Sequence, residues 1–79
     1  MKFYIVSIRE WYDSELISKK CTYHASYKGA VAGALKAIRE LRKDGYTMKR
    51  YEKHWYATEC VRGGEWDASV YIDEAEMMN

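Results

Sequence analysis

An α+β fold is predicted, with a mostly antiparallel sheet in β-β-α-β-β order and one helix packed on one face. Three observations predict it. Apolar residues recur at helical spacing between Tyr27 and Leu41, and the segments on either side alternate apolar and polar residues as strands do. Gly45 and the Gly63-Gly64 pair punctuate the chain between those segments. With 79 residues and 15% aromatic content, the chain has room for one small domain, residues 1–79, and too much apolar surface for disorder. A domain of this size buries roughly 60% of the surface its unfolded chain exposes, so its stability margin is thin.

Residues 2–9 are rich in β-branched and aromatic side chains and read as the first strand. Alternation places Tyr4, Val6 and Ile8 on one face and Phe3, Ile5 and Ser7 on the other. Asp13 and Ser14 carry turn chemistry, and a second strand follows over residues 15–24. A two- or four-residue loop puts Ile17, Cys21 and Tyr23 on the face of Tyr4, Val6 and Ile8, the expected core face.

The helix has a start, a stripe and a stop. Ser26 is the expected N-cap, and Tyr27, Ala30, Val31, Ala34, Leu35, Ile38 and Leu41 form the apolar stripe. Gly45 supplies a left-handed stop, and Arg42 and Lys43 suit the negative end of the helix dipole. Gly29 and Gly33 each cost up to about 1 kcal/mol relative to Ala, which a close approach of helix to sheet offsets. Lys28, Lys36, Arg39, Glu40 and Lys43 mark the solvated side.

Residues 46–51 read equally as a short strand or as the start of a long bent one. Residues 54–62 and 65–73 form a hairpin about Gly63-Gly64. A two-residue loop pairs Arg62 with Glu65, Val61 with Trp66, Ala57 with Val70 and Trp55 with Ile72. Trp55, Ala57, Val61, Trp66, Ala68, Val70 and Ile72 then share an apolar face. Tyr56, Thr58, Cys60, Arg62, Glu65, Asp67, Ser69, Tyr71 and Asp73 share a polar one. Residues 74–79 are expected to fray.

Catalytic and metal chemistry find no constellation. Cys21 and His24 are three apart in a strand and point to opposite faces, while His54 and Cys60 are separated by roughly 20 Å of strand. A Cys21–Cys60 disulfide would have to cross the sheet. Glu65 and Asp67 sit on a hairpin surface with no implied apolar pocket, and no phosphate-cradling loop opens the helix. No enzyme, cofactor or metal is expected. The longest apolar run, Phe3–Val6, is four residues, so no membrane span is expected. With no signal-peptide pattern and two cysteines in all, the expected compartment is the cytoplasm.

Two kinds of binding surface remain. Lys49, Arg50 and Lys53 interleave with Tyr51, Trp55 and Tyr56, and the helix adds Lys36, Arg39, Arg42 and Lys43, the make-up of a small nucleic-acid-binding module. No signature of a known nucleic-acid module accompanies them, and basic helix faces are commonly just solvated. The other surface faces a protein. Tyr56 and Tyr71 pair across the hairpin on its outward face, and such rings anchor interfaces. Phe3 and Ile5 mark a further covered patch, such as a homodimer contact.

Charge placement points the same way. The formal charge of +1 divides into thirteen cations and seven acids over residues 1–62, a formal +6, and five acids with no cation over 63–79, a formal −5. Glu65, Asp67 and Asp73 form a stripe beside Tyr71 that suits a basic groove on a partner.

The strand opening at residue 2, the Ala-rich helix (Ala30, Ala32, Ala34, Ala37) and the C-terminal hairpin resemble the small phage-encoded anti-CRISPR proteins. That resemblance implies a non-enzymatic phage inhibitor in the host cytoplasm, bound to a Cas protein or a crRNA-guided surveillance complex. It would occupy the complex's surface or block target-DNA access. Tyr56, Tyr71, Glu65, Asp67 and Asp73 would form the contact. The +6 remainder departs from strongly acidic DNA mimics and favours steric blocking.

Overall fold

The structure is a computed structural model that describes residues 1–50 and 58–77, with side chains for 1–47 and 62–77. Its elements are β1 (Lys2–Tyr12), β2 (Glu15–His24), α1 (Tyr27–Lys43), β3 (Thr47–Arg50), β4 (Thr58–Arg62) and β5 (Trp66–Glu76). The fold is α+β, but the predicted β-β-α-β-β order is wrong. A further short strand, β3, follows the helix and pairs with β4 from Thr47 opposite Val61 to Arg50 opposite Thr58. The strands lie in the order β2-β1-β5-β4-β3, and every pairing is antiparallel. β1 and β5, of 11 residues each, therefore lie inside the sheet and not at its edges. Residues 74–76 do not fray. They complete β5 against β1, Lys2 Nζ lies 3.1 Å from Glu74, and the Met77 N–H donates to the Met1 carbonyl at 2.8 Å.

Two registers differ from expectation by one residue, and each shift has a local cause. The β1–β2 turn is the shorter of the two expected loops, Asp13-Ser14, with φ of 50° and 64°, the conformation in which a two-residue hairpin matches strand twist. Beyond it the pairing passes from Trp11 opposite Leu16 to Glu10 opposite Ser18, so a β-bulge absorbs one residue of β2. Side chains alternate with period two, so that insertion reverses the rest of β2. Cys21 and Tyr23 leave the predicted core face and join Phe3, Ile5 and Ser7. The β4–β5 connection takes three residues, closing with Arg62 opposite Trp66 and Val61 opposite Asp67. Gly64, at φ +86°, supplies the positive backbone angle there. Trp55, Tyr56 and Ala57 lie outside the described residues.

The helix follows its sequence signals closely. Ser26 Oγ accepts the Gly29 N–H at 3.0 Å, capping the first turn. At the other end Gly45, with φ +96°, lets the Tyr46 N–H reach the Leu41 carbonyl and its own N–H reach the Arg42 carbonyl, both at 3.1 Å. Those two bonds and the buried Leu41–Tyr46 pair make a Schellman stop. The buried stripe is Ala30, Ala34, Ala37 and Leu41. Leu35, expected in the core, is half exposed, because Ala37 occupies the sheet-facing position instead.

Small residues bring the helix close to the sheet. A Cβ at Gly33 would stand 2.9 Å from the ring of His24, which is half-buried. The His24 Nε2 lies 2.8 Å from Thr22 Oγ1, which fixes the ring in that slot. Below the alanine stripe sit Val6, Ala68 and Val70, with Tyr4, Ile8, Ile38, Trp66 and Ile72 packed around them. This core is narrow, and β1 and β5 supply its floor.

Candidate interaction face

One side of the sheet is roofed by α1, and the other presents the odd-numbered residues of β1 and β5. Central placement of β5 decides what that second face carries. Antiparallel pairing sets Ile5 opposite Asp73, Ser7 opposite Tyr71, Arg9 opposite Ser69 and Trp11 opposite Asp67. On the far side of β1, Tyr23 lies opposite Ile5, Cys21 opposite Ser7 and Lys19 opposite Arg9. The bulge in β2 is what brings Cys21 and Tyr23 to this side.

The side chains here cover one another. Phe3 and Tyr23 place their ring centroids 6.4 Å apart at 41°, and the Arg9 guanidinium stands over the Tyr71 ring at 5.1 Å. Ser7 is only 4% exposed, flanked by Cys21, whose Sγ is 3.8 Å from its Oγ, and by Tyr71. Phe3, Ile5, Trp11 and Tyr71 are half-buried, and Tyr23 is 68% exposed. Arg9 Nε and Ser69 Oγ are buried without a hydrogen-bond partner among the described residues, although Arg9 stacks on Tyr71. The result is an aromatic patch with a cation in its middle and carboxylates on one side.

The predicted site residues are only partly brought together. Tyr71, Asp67 and Asp73 do share this face, on one central strand. Glu65 does not belong to that strand. It sits in the turn, where its carbonyl accepts the Asp13 N–H at 3.0 Å and ties the two hairpin ends together. Tyr56 lies outside the described residues, so its pairing with Tyr71 does too, and the neighbours of Tyr71 here are Arg9 and Ser7. Sequence reasoning missed Arg9, Cys21 and Tyr23 as members. The signal was present, because Phe3 and Ile5 are as apolar as Val6 and Ile8 and equally call for covering partners on β2.

Of the predicted basic set, Lys36, Arg39, Arg42 and Lys43 are exposed along α1. Lys53 lies outside the described residues, as do the side chains of Lys49 and Arg50. Arg62, expected on the polar face, lies with the helix side. Its guanidinium stacks 4.5 Å from Trp66 and 5.2 Å from Tyr46, and Nη1 donates to the Asp44 carbonyl at 3.0 Å. Tyr46 in turn donates its hydroxyl to Glu10 Oε2 at 3.2 Å. Burial first, then the Glu10 carboxylate, push the Tyr46 hydroxyl above the ordinary tyrosine range. This cluster fastens the C-terminal end of the helix to the hairpin turn.

Cys21 and His24 lie on opposite faces, and among the described residues no group of three or more His, Cys, Asp or Glu is placed to hold a metal ion. No helix among them is long and apolar enough to cross a membrane. No protein-family model, curated protein or solved structure matches the chain.

Proposed function

We propose that this chain is a non-enzymatic binding protein that docks on a protein partner through the helix-free face of its sheet. The observation that carries the reading is the placement of Tyr71 between Asp67 and Asp73 on the central strand, beside Trp11, Ile5 and Phe3. Aromatic anchors ringed by charge supply much of the energy and selectivity of protein interfaces. In its specific form, taken from the resemblance to small phage anti-CRISPR proteins, the partner is a Cas protein or crRNA-guided complex in the host cytoplasm. The chain would then inhibit by covering a surface that target DNA must reach.

The test joins capture to phenotype. Tagged chain is used to retrieve partners from a lysate holding a crRNA-guided complex, and expressed in the same host challenged with targeted phage. The expected result is co-purification of a Cas subunit and restored plaque formation, both lost in Tyr71→Ala with Asp67→Lys while the far-ultraviolet circular dichroism is unchanged. Undiminished capture and plating by that variant would refute the surface. Failure of the unsubstituted chain in both assays would refute the partner class.

A second reading has its own observation, the exposed Lys36, Arg39, Arg42 and Lys43 along α1. A nucleic-acid-binding module using them loses affinity steeply as salt rises, because each phosphate contact releases counterions. A gel-shift titration over salt distinguishes the two, since the protein-docking reading requires no shift of DNA or RNA.

A further inference from the structure

We infer that β2 is a docking edge for an acidic extended segment of another protein, which adds to the sheet as a sixth strand. This surface is separate from the helix-free face. Among the described residues β2 has a neighbour on one side only, β1, so alternate residues aim their N–H and C=O groups away from the sheet. Such an edge is a template for strand addition. It is also long, at ten residues.

Charge selects the occupant. Lys19 and Lys20 sit at the middle of the edge, both exposed, one on each side of the sheet. Lys19 lies opposite Arg9 and Lys20 opposite Ile8, so neither faces an acid directly, and Glu10, the nearest acid of β1 on the side of Lys20, lies opposite Ser18 and accepts from the Tyr46 hydroxyl. Among the described residues neither makes an ion pair. Toward the ends lie Leu16, Ile17 and Tyr23, exposed at 49%, 50% and 68%. The edge is therefore basic at its centre, with exposed apolar residues to either side and Glu15 at its first position, and its complement is a strand with carboxylates at the middle and apolar residues around them. A second copy fits poorly. Symmetric antiparallel pairing of β2 with itself keeps each face of the sheet continuous, so centred on the strand it would set Lys19 against Lys19 or Lys20 against Lys20, and like charges directly opposite destabilise a sheet.

Amide hydrogen exchange followed by nuclear magnetic resonance on the full chain tests this. Two synthetic peptides of the length of β2 serve as probes, both with valine and threonine toward the ends, one with two adjacent glutamates at the middle and the other with two adjacent lysines there. The glutamate peptide is expected to slow exchange at alternate β2 amides about tenfold or more, an effect that added salt weakens, while the lysine peptide does nothing. Lys19→Glu with Lys20→Glu is expected to exchange the two preferences while leaving amide shifts outside β1 and β2 in place. Tyr71→Ala with Asp67→Lys is expected to leave peptide binding intact, which separates this edge from the helix-free face. The inference is overturned if the glutamate peptide protects no β2 amide, or if both peptides protect equally. It is also overturned if protection grows with protein concentration in the absence of peptide, which would assign the edge to a second copy.

Discussion

The two faces of the sheet are made by the same strands yet do different work. On the helix side, Val6 and Val70 are fully buried beneath an alanine stripe, and the polar groups at its margin, Glu10, Tyr46 and Arg62, are bonded or stacked. On the helix-free side the side chains are as large, but they cover each other only partly, and two buried polar atoms, Arg9 Nε and Ser69 Oγ, have no hydrogen-bond partner among the described residues. One face spends its apolar surface on folding, and the other keeps it available. In a domain with so small a core, that division shows where substitution should harm stability and where it should harm binding.

A neighbouring pair of substitutions gives the largest expected contrast. Val6→Asp buries a carboxylate beneath the helix with no partner, which costs several kcal/mol and should leave the chain unfolded. Ile5→Lys, one residue away on the helix-free side and opposite Asp73, keeps its charge in contact with water and should cost about 1 kcal/mol. Urea titration followed by circular dichroism measures both. Equal losses would erase the distinction between the faces.

Arg62→Ala should come next, at about 1–2 kcal/mol, because the guanidinium joins two ring faces and a helix-end carbonyl. The double variant with Trp66→Leu should lose less than the sum of the two single variants, since they share one contact. Additive losses would mean that the stack contributes nothing.

The smallest effect is on the dependence of stability on pH. Folding favours the neutral hydroxyl of Tyr46, so its contribution is complete below about pH 10, the ordinary tyrosine value. It drains away as pH rises through the higher folded value. Melting temperature should therefore fall across that alkaline window, and Tyr46→Phe, less stable at neutral pH for want of the Glu10 bond, should fall less. An identical alkaline slope in the variant would remove Tyr46 as the cause.

The helix was legible in the sequence because its signals are local. Ser26 caps, Gly45 stops, and the alanines repeat at helical spacing, so no distant contact is needed to place them. What distant contacts decide was harder to read. In β2 the odd-numbered residues, Ile17, Cys21 and Tyr23, are the more apolar set, which argued for turning them under the helix. Tertiary structure turns them away, since β2 is an edge strand and Phe3 and Ile5 need partners on the far side. A single bulge is enough to make that exchange, and no residue type marks it. The hairpin about Gly63-Gly64 was legible as a turn but not as a three-residue one, which moved Arg62 from the polar face to the helix side. Of the proposed contact, Tyr71, Asp67 and Asp73 were readable by alternation alone. Arg9 depended on knowing that β1 lies beside β5, and Tyr23 on the bulge in β2.

The bulge in β2 decides which residues each face owns, and through-space nuclear magnetic resonance contacts read it directly. The ring protons of Tyr23 should show cross-peaks to Phe3, whose ring centroid lies 6.4 Å away, and the Cys21 side chain should show them to Ser7. Cross-peaks from Tyr23 to Tyr4, or from Cys21 to the Val6 methyls, would place β2 in the unbulged register and return the aromatic patch to the core.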